Sequence, residues 1–146
     1  NRRAAGQFYD LCERVDGYNL FDALLALESG GEPRVRRREG RDAVAASFVM
    51  RDLAGEGLSR WPRRGEIARL RQRHPHARIM VYAKRGTDLR RELKWLGSYR
   101  YAVANLGAAS PEALAAAYRA IHRDIGFHPR GRLVVPEAML GEAAAD

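Results

Sequence analysis

Cysteine, lysine and long apolar runs are what this sequence has least of. A single cysteine, Cys12, stands among 146 residues. No internal disulfide and no cysteine-based zinc site can then hold the fold, which has to stand on packing alone, as expected in a reducing, cytoplasmic setting. No apolar run reaches the roughly 18 residues of a membrane span. The opening Asn1-Arg2-Arg3 leads into no apolar signal-like stretch, so membrane and secretory classes drop out of the expectation. With 46% hydrophobic and 8% aromatic residues, the chain suffices for one compact domain and is too short for two ordinary ones.

Lysine occurs only at Lys84 and Lys94, so the net charge of +8, from 26 basic and 18 acidic residues, is carried almost wholly by arginine. The excess is local. From Arg60 to Lys94 there are 12 basic residues against Glu66, Asp88 and Glu92, a net +9 that leaves the rest of the chain at −1. A localised basic segment suits an acidic partner, either nucleic acid or an acidic protein face, while arginines on exposed helix faces also serve simply as solvated charge.

The order of apolar patterns predicts an alternation of strands and helices. Asp42 to Met50 and Ala77 to Ala83 are short apolar runs of strand length, and Tyr99 to Leu106 reads as a third strand. Gly65 to Arg73 sets Ile67 and Leu70 on one side of a helix that His74-Pro75 closes, because the residue before proline disfavours helix. Leu89, Leu93 and Leu96 recur at helical spacing before Gly97. Ser110-Pro111-Glu112 supplies an N-cap, a first-turn proline and an acid for the helix dipole, ahead of Leu114, Tyr118, Ile121 and Ile125 and a stop at Gly126. Upstream, Phe8, Leu11, Cys12 and Val15 suit one helix and Phe21, Leu24, Leu25 and Leu27 another, or its continuation past Asp16-Gly17. Gly30 to Gly40 reads as a loop or an edge strand. Such alternation predicts an α/β fold of three layers: a mostly parallel sheet with helices on both faces.

From Ala43 to Ile121 the order and spacing of these segments resemble the receiver domain of two-component response regulators, a flavodoxin-like fold. The run AVAASFVM is similar to the receiver's third strand and Leu53 to Leu58 to the loop after it. EIARLRQRHPHARIMVYA resembles the third helix and fourth strand, and GSYRYAVANL with SPEALAAAYRAI the fifth strand and last helix, Tyr101 falling at the aromatic switch position. The resemblance implies one receiver-like domain over residues 1–128, with its first strand missing or replaced, and a C-terminal extension over 129–146. Receivers need an acceptor aspartate, a hydroxyl and a lysine at three strand ends, and an acidic pair for Mg²⁺. The register puts Met50, Ala83 and Ala104 at those three ends. The resemblance therefore implies a degenerate pseudo-receiver: a non-catalytic signalling or scaffolding domain that has lost phosphotransfer and needs no cofactor and no metal. Asp52, two residues beyond Met50, is the one acceptor through which an active receiver is conceivable.

On that reading a protein partner or a second copy docks on Arg90, Arg91, Lys94, Arg119 and Arg123 around Tyr101 as aromatic anchor. The alternative, from another class, is a nucleic-acid-binding module using Arg64, Arg69, Arg71, Arg73, Arg78, Lys84 and Arg85, with Trp61, Trp95, Tyr99 and Tyr101 as candidate stacking groups. Other motifs carry less. Gly55-x-Gly57-x-x-Arg60 is half of a dinucleotide-binding loop whose third glycine is an arginine, and reads as a strand-to-helix loop. His122-Arg123-Asp124 copies a kinase tripeptide without its companion motifs. His74, His76, His122 and His128 lack the i, i+4 spacing of helical metal ligands. Cys12 beside Leu11 and Val15 reads as a buried structural thiol.

Overall fold

The computed structural model describes residues 8–35, 37–52, 58–82 and 100–129. In chain order these form helices α1 (Tyr9–Asp16) and α2 (Leu20–Glu28), strands β1 (Val44–Arg51) and β2 (Leu58–Arg60), and helix α3 (Arg64–Arg73). Strands β3 (Arg78–Val81) and β4 (Arg100–Ala108), helix α4 (Pro111–Asp124) and the short strand β5 (His128–Pro129) follow. The helix expected over Leu89 to Leu96, the glycines at 55 and 57, and the extension beyond 129 lie outside the described residues.

The mixed α/β class holds, but the strand pairing differs from the expected parallel sheet. β1, β4 and β3 lie side by side in that order, and β4 runs antiparallel to both neighbours. β1 and β3 do run the same way, as a strand, helix, strand crossover through α3 requires; β4 is inserted between them in the opposite sense. Alternating strands and helices fix the direction of strands joined by a crossover, not which later strand comes between them. The second pairing, β2 with β5, is a separate two-stranded ribbon. No strand precedes β1 among the described residues, which open in helix.

Alternation along the strands gives the sheet two distinct faces. Phe48, Met50, Ala102, Ala104, Leu106 and Ile79 join Leu70 of α3 and Leu114, Ile121 and Ile125 of α4 in the hydrophobic core, where Phe48 stacks on Tyr118 with ring centroids 4.2 Å apart. On the other face lie Val103, Asn105 and Arg78, and Arg78 sits over the ring of Tyr9 in α1, 4.9 Å from its centroid. Helices thus cover both faces. The register breaks between Met50 and Arg51. There Tyr101, which strict alternation would place with Val103, instead packs into the core beside the Phe127 ring at 4.9 Å, as an irregularity that re-aims a side chain does.

Local signals explain the helix ends. The Ser110 hydroxyl accepts from the Ala113 N–H at 3.2 Å with Pro111 in the first turn, as its sequence predicts. α1 stops at Gly17, whose φ of 77° is the left-handed cap conformation that glycine adopts without cost. The one fully buried side chain of α1 is not Cys12, which is half-buried, but Arg14. Arg14 donates to Asp10 at 3.1 Å and Asp42 at 3.4 Å, pairing that a buried guanidinium requires. The residues leading from Gly30 to Gly40 carry no strand among those described.

Candidate functional site

Where β2 turns into α3, the chain sets arginines along the wall of a groove. Leu58 is buried and anchors β2. Arg60, two residues on, donates from Nη1 to the Gly126 carbonyl and from Nη2 to Glu66, both at 2.7 Å. Glu66 also accepts the Arg63 N–H at 2.7 Å, closing the first turn of α3. That backbone hydrogen bond, with the charges of Arg60 and Arg63, holds the Glu66 carboxyl below its ordinary range. The groove, about 1200 Å³, is lined by Arg60, Trp61, Arg63, Arg64, Arg71 and Phe127 among others. Trp61 meets Phe127 edge to face at 6.1 Å and remains partly exposed.

A second cavity of about 230 Å³ adjoins it, sharing Arg60 and Glu66 and adding Arg69, Arg73, Arg123 and Asp124. Here Asp124, at the end of α4, accepts from Arg73 at 3.2 Å and pairs with His74 Nε2 at 3.1 Å, with Arg123 at 3.7 Å. The His74 hydrogen bond, followed by the Arg73, His74 and Arg123 charges, holds the Asp124 carboxyl low. Together the two cavities present seven arginines against two carboxylates. Arg63 and Arg64 are exposed and form no ion pair among the described residues. Such a surface attracts a polyanion and offers planar donors that match phosphate oxygens.

The sequence-predicted residues distribute unevenly over this site. Arg64, Arg69, Arg71 and Arg73 line it. Arg78 does not, because alternation in β3 turns it to the α1 face, over Tyr9. Lys84, Arg85, Trp95 and Tyr99 lie outside the described residues, as do Arg90, Arg91 and Lys94. Of the expected partner surface, Arg119 and Arg123 are exposed, and Arg123 belongs to the smaller cavity. Tyr101 cannot anchor a partner. It is 1% exposed, and burial, with Tyr118 and Asp52 nearby, pushes its hydroxyl up to about 12. Asp52 is likewise buried, 2% exposed. Arg60 and Arg63 fall in the basic segment but not in the residue set expected from it, and the junction of Arg73, His74 and Asp124 was missed; Asp124 lies some fifty positions from its partners, and no local pattern announces it.

Among the described residues no group of three or more histidine, cysteine, aspartate or glutamate side chains is arranged to hold a metal ion, and no helix is long and apolar enough to cross a membrane. Comparison with family models, curated proteins and solved structures found no match to this chain.

Proposed function

We propose that this chain is a non-catalytic nucleic-acid-binding module whose arginine-lined groove takes the phosphate backbone of a single strand. The observation that carries the reading is the pair of adjoining cavities, in which seven arginines from β2, α3 and α4 and the segments beside them face two carboxylates around a partly exposed tryptophan. Phosphate contacts of this kind supply affinity without sequence reading. An aromatic wall beside them favours a strand whose bases are free to stack over a closed duplex. A cytoplasmic location belongs to this reading. The signalling or scaffolding role implied by the likeness to receivers draws on Arg90, Arg91 and Lys94, outside the described residues, and on Tyr101, which is buried, so the geometry favours it less.

Fluorescence anisotropy of labelled single- and double-stranded DNA and RNA, titrated at low and near-physiological salt, tests the proposal. Single strands bind more tightly, with affinity falling steeply as salt rises. Changing Arg63 and Arg64 to alanine lowers the slope by about 0.7 for each phosphate that is no longer neutralised. Arg78→Ala, on the opposite face, leaves the slope unchanged. Absence of binding to every probe at low salt refutes the assignment.

A further inference from the structure

The smaller cavity differs from the groove it adjoins in size and in charge. At about 230 Å³ it lies below the roughly 300 Å³ at which pockets for whole small molecules begin, so it takes one group rather than a run of nucleotides. Four arginines, Arg60, Arg69, Arg73 and Arg123, meet Glu66 and Asp124 there, an excess of two positive charges. Both carboxylates are already matched within the protein. Glu66 accepts from Arg60 and from the Arg63 N–H, each at 2.7 Å, and Asp124 accepts from Arg73 at 3.2 Å beside His74. The other two arginines are less committed. Arg69 donates its Nε to the Gly65 carbonyl at 3.3 Å and enters no ion pair among the described residues. Arg123, its side chain 76% exposed, stands 3.7 Å from Asp124 through Nε. Neither contact uses a terminal Nη group, so two planar forks of the kind that meets phosphate oxygens in pairs face the cavity from two different helices, α3 and α4.

We propose, resting on the groove as the path of a single strand, that this cavity takes the strand's terminal phosphate between Arg69 and Arg123. Charge favours a terminal over an internal phosphate. A phosphomonoester carries about −1.5 to −2 at pH 7 and offers three acceptor oxygens, close to the excess of two charges in the cavity. A phosphodiester within the strand carries a single charge and needs room for chain on both sides. Position favours it as well. Arg60 and Glu66 line both cavities, so a strand lying along the groove reaches the smaller cavity at their shared wall, and its last phosphate enters with no chain beyond it. The ion pairs of Arg60 with Glu66 and of Arg73 with Asp124 set the lining in place before the phosphate arrives.

The test is fluorescence anisotropy of one internally labelled single strand, DNA or RNA, whichever the chain binds more tightly, near pH 7.5, where the monoester is almost fully a dianion. The strand is used with hydroxyls at both ends, with a 5′-phosphate, with a 3′-phosphate, and hydroxyl-ended but two nucleotides longer, which matches the added charge. A phosphate at one end or the other tightens binding about tenfold, and lengthening does not. Arg69→Gln and Arg123→Gln, each checked for fold by circular dichroism, bring the ratio of phosphorylated to hydroxyl-ended affinity close to one. Arg64→Ala, in the groove, weakens both forms and preserves the ratio. Strands that bind equally whatever their ends, or a gain that the longer strand reproduces, overturn the terminal site and leave strand binding by the groove intact. A ratio that survives both glutamine variants overturns it too. Absence of binding by every strand overturns the site and the groove together.

Discussion

Arg60 donates from Nη1 to the carbonyl oxygen of Gly126 at 2.7 Å, fastening β2 to the turn that follows α4. Gly126 holds that carbonyl in place with a φ of 72°, and a Cβ there would run into the Arg60 guanidinium. Gly126→Ala therefore loses on two counts. It costs about 1–2 kcal/mol for the left-handed backbone alone, and it displaces Arg60 from the groove. Urea denaturation reads the first effect and strand affinity the second. Unchanged values for both would show that the bond positions nothing.

Arg14 is almost wholly buried between Asp10 and Asp42. Arg14→Met removes the buried cation from that junction and leaves two carboxylates facing each other, so the expected loss is about 3–5 kcal/mol in urea denaturation. Arg64→Ala, on the exposed wall of the groove, stays within about 0.5 kcal/mol. A mild Arg14 variant would mean that water reaches the junction.

Two groups make acid the weak side of this fold. Burial lowers His122 from its ordinary 6.5, so the unfolded chain takes up this proton more readily, and stability declines as pH falls below about 6.5. Asp124 is held below its ordinary 3.8 by the His74 hydrogen bond and then by neighbouring cations. Its contribution is complete above that value and is lost as pH falls through the folded one. In urea denaturation against pH, His122→Phe flattens the first decline and Asp124→Asn the second. A His122 imidazole that titrates at or above 6.5 by NMR contradicts the assignment.

Phosphorylation at Asp52 is not expected, since that residue is 2% exposed. Incubation with a small phosphodonor and Mg²⁺ leaves the intact mass unchanged. A phosphate-sized increment that disappears in Asp52→Asn would restore the active-receiver reading.

What the sequence disclosed here was local. The start of α4 was legible because Ser110, Pro111 and Glu112 each act within one turn, and β3 and β4 because short apolar runs between helices have few other uses. The direction of pairing was not legible, since β4 enters between β1 and β3 from a distant part of the chain. β2 is three residues long, with two of them exposed, and shows itself only through β5. In α2 the apolar period marked a helix correctly and was silent about which way it faces. Part of the arginine cluster was visible as a charge excess. Its shape was not, because Arg60 and Arg123 reach it from different elements, and Arg78 leaves it through the alternation of a single strand.

The central position of β4 also governs when the sheet can exist at all. Val44 pairs with Ala108 and Val81 with Ala102, so a chain emerging from the ribosome carries β1 and β3 with their partner edges open until residues 100–108 follow. Pairing across such separations is slow compared with helix formation, and open edges meanwhile invite pairing with other chains. A truncation ahead of Arg100 makes that passing state permanent, leaving β1 and β3 without the strand that joins them.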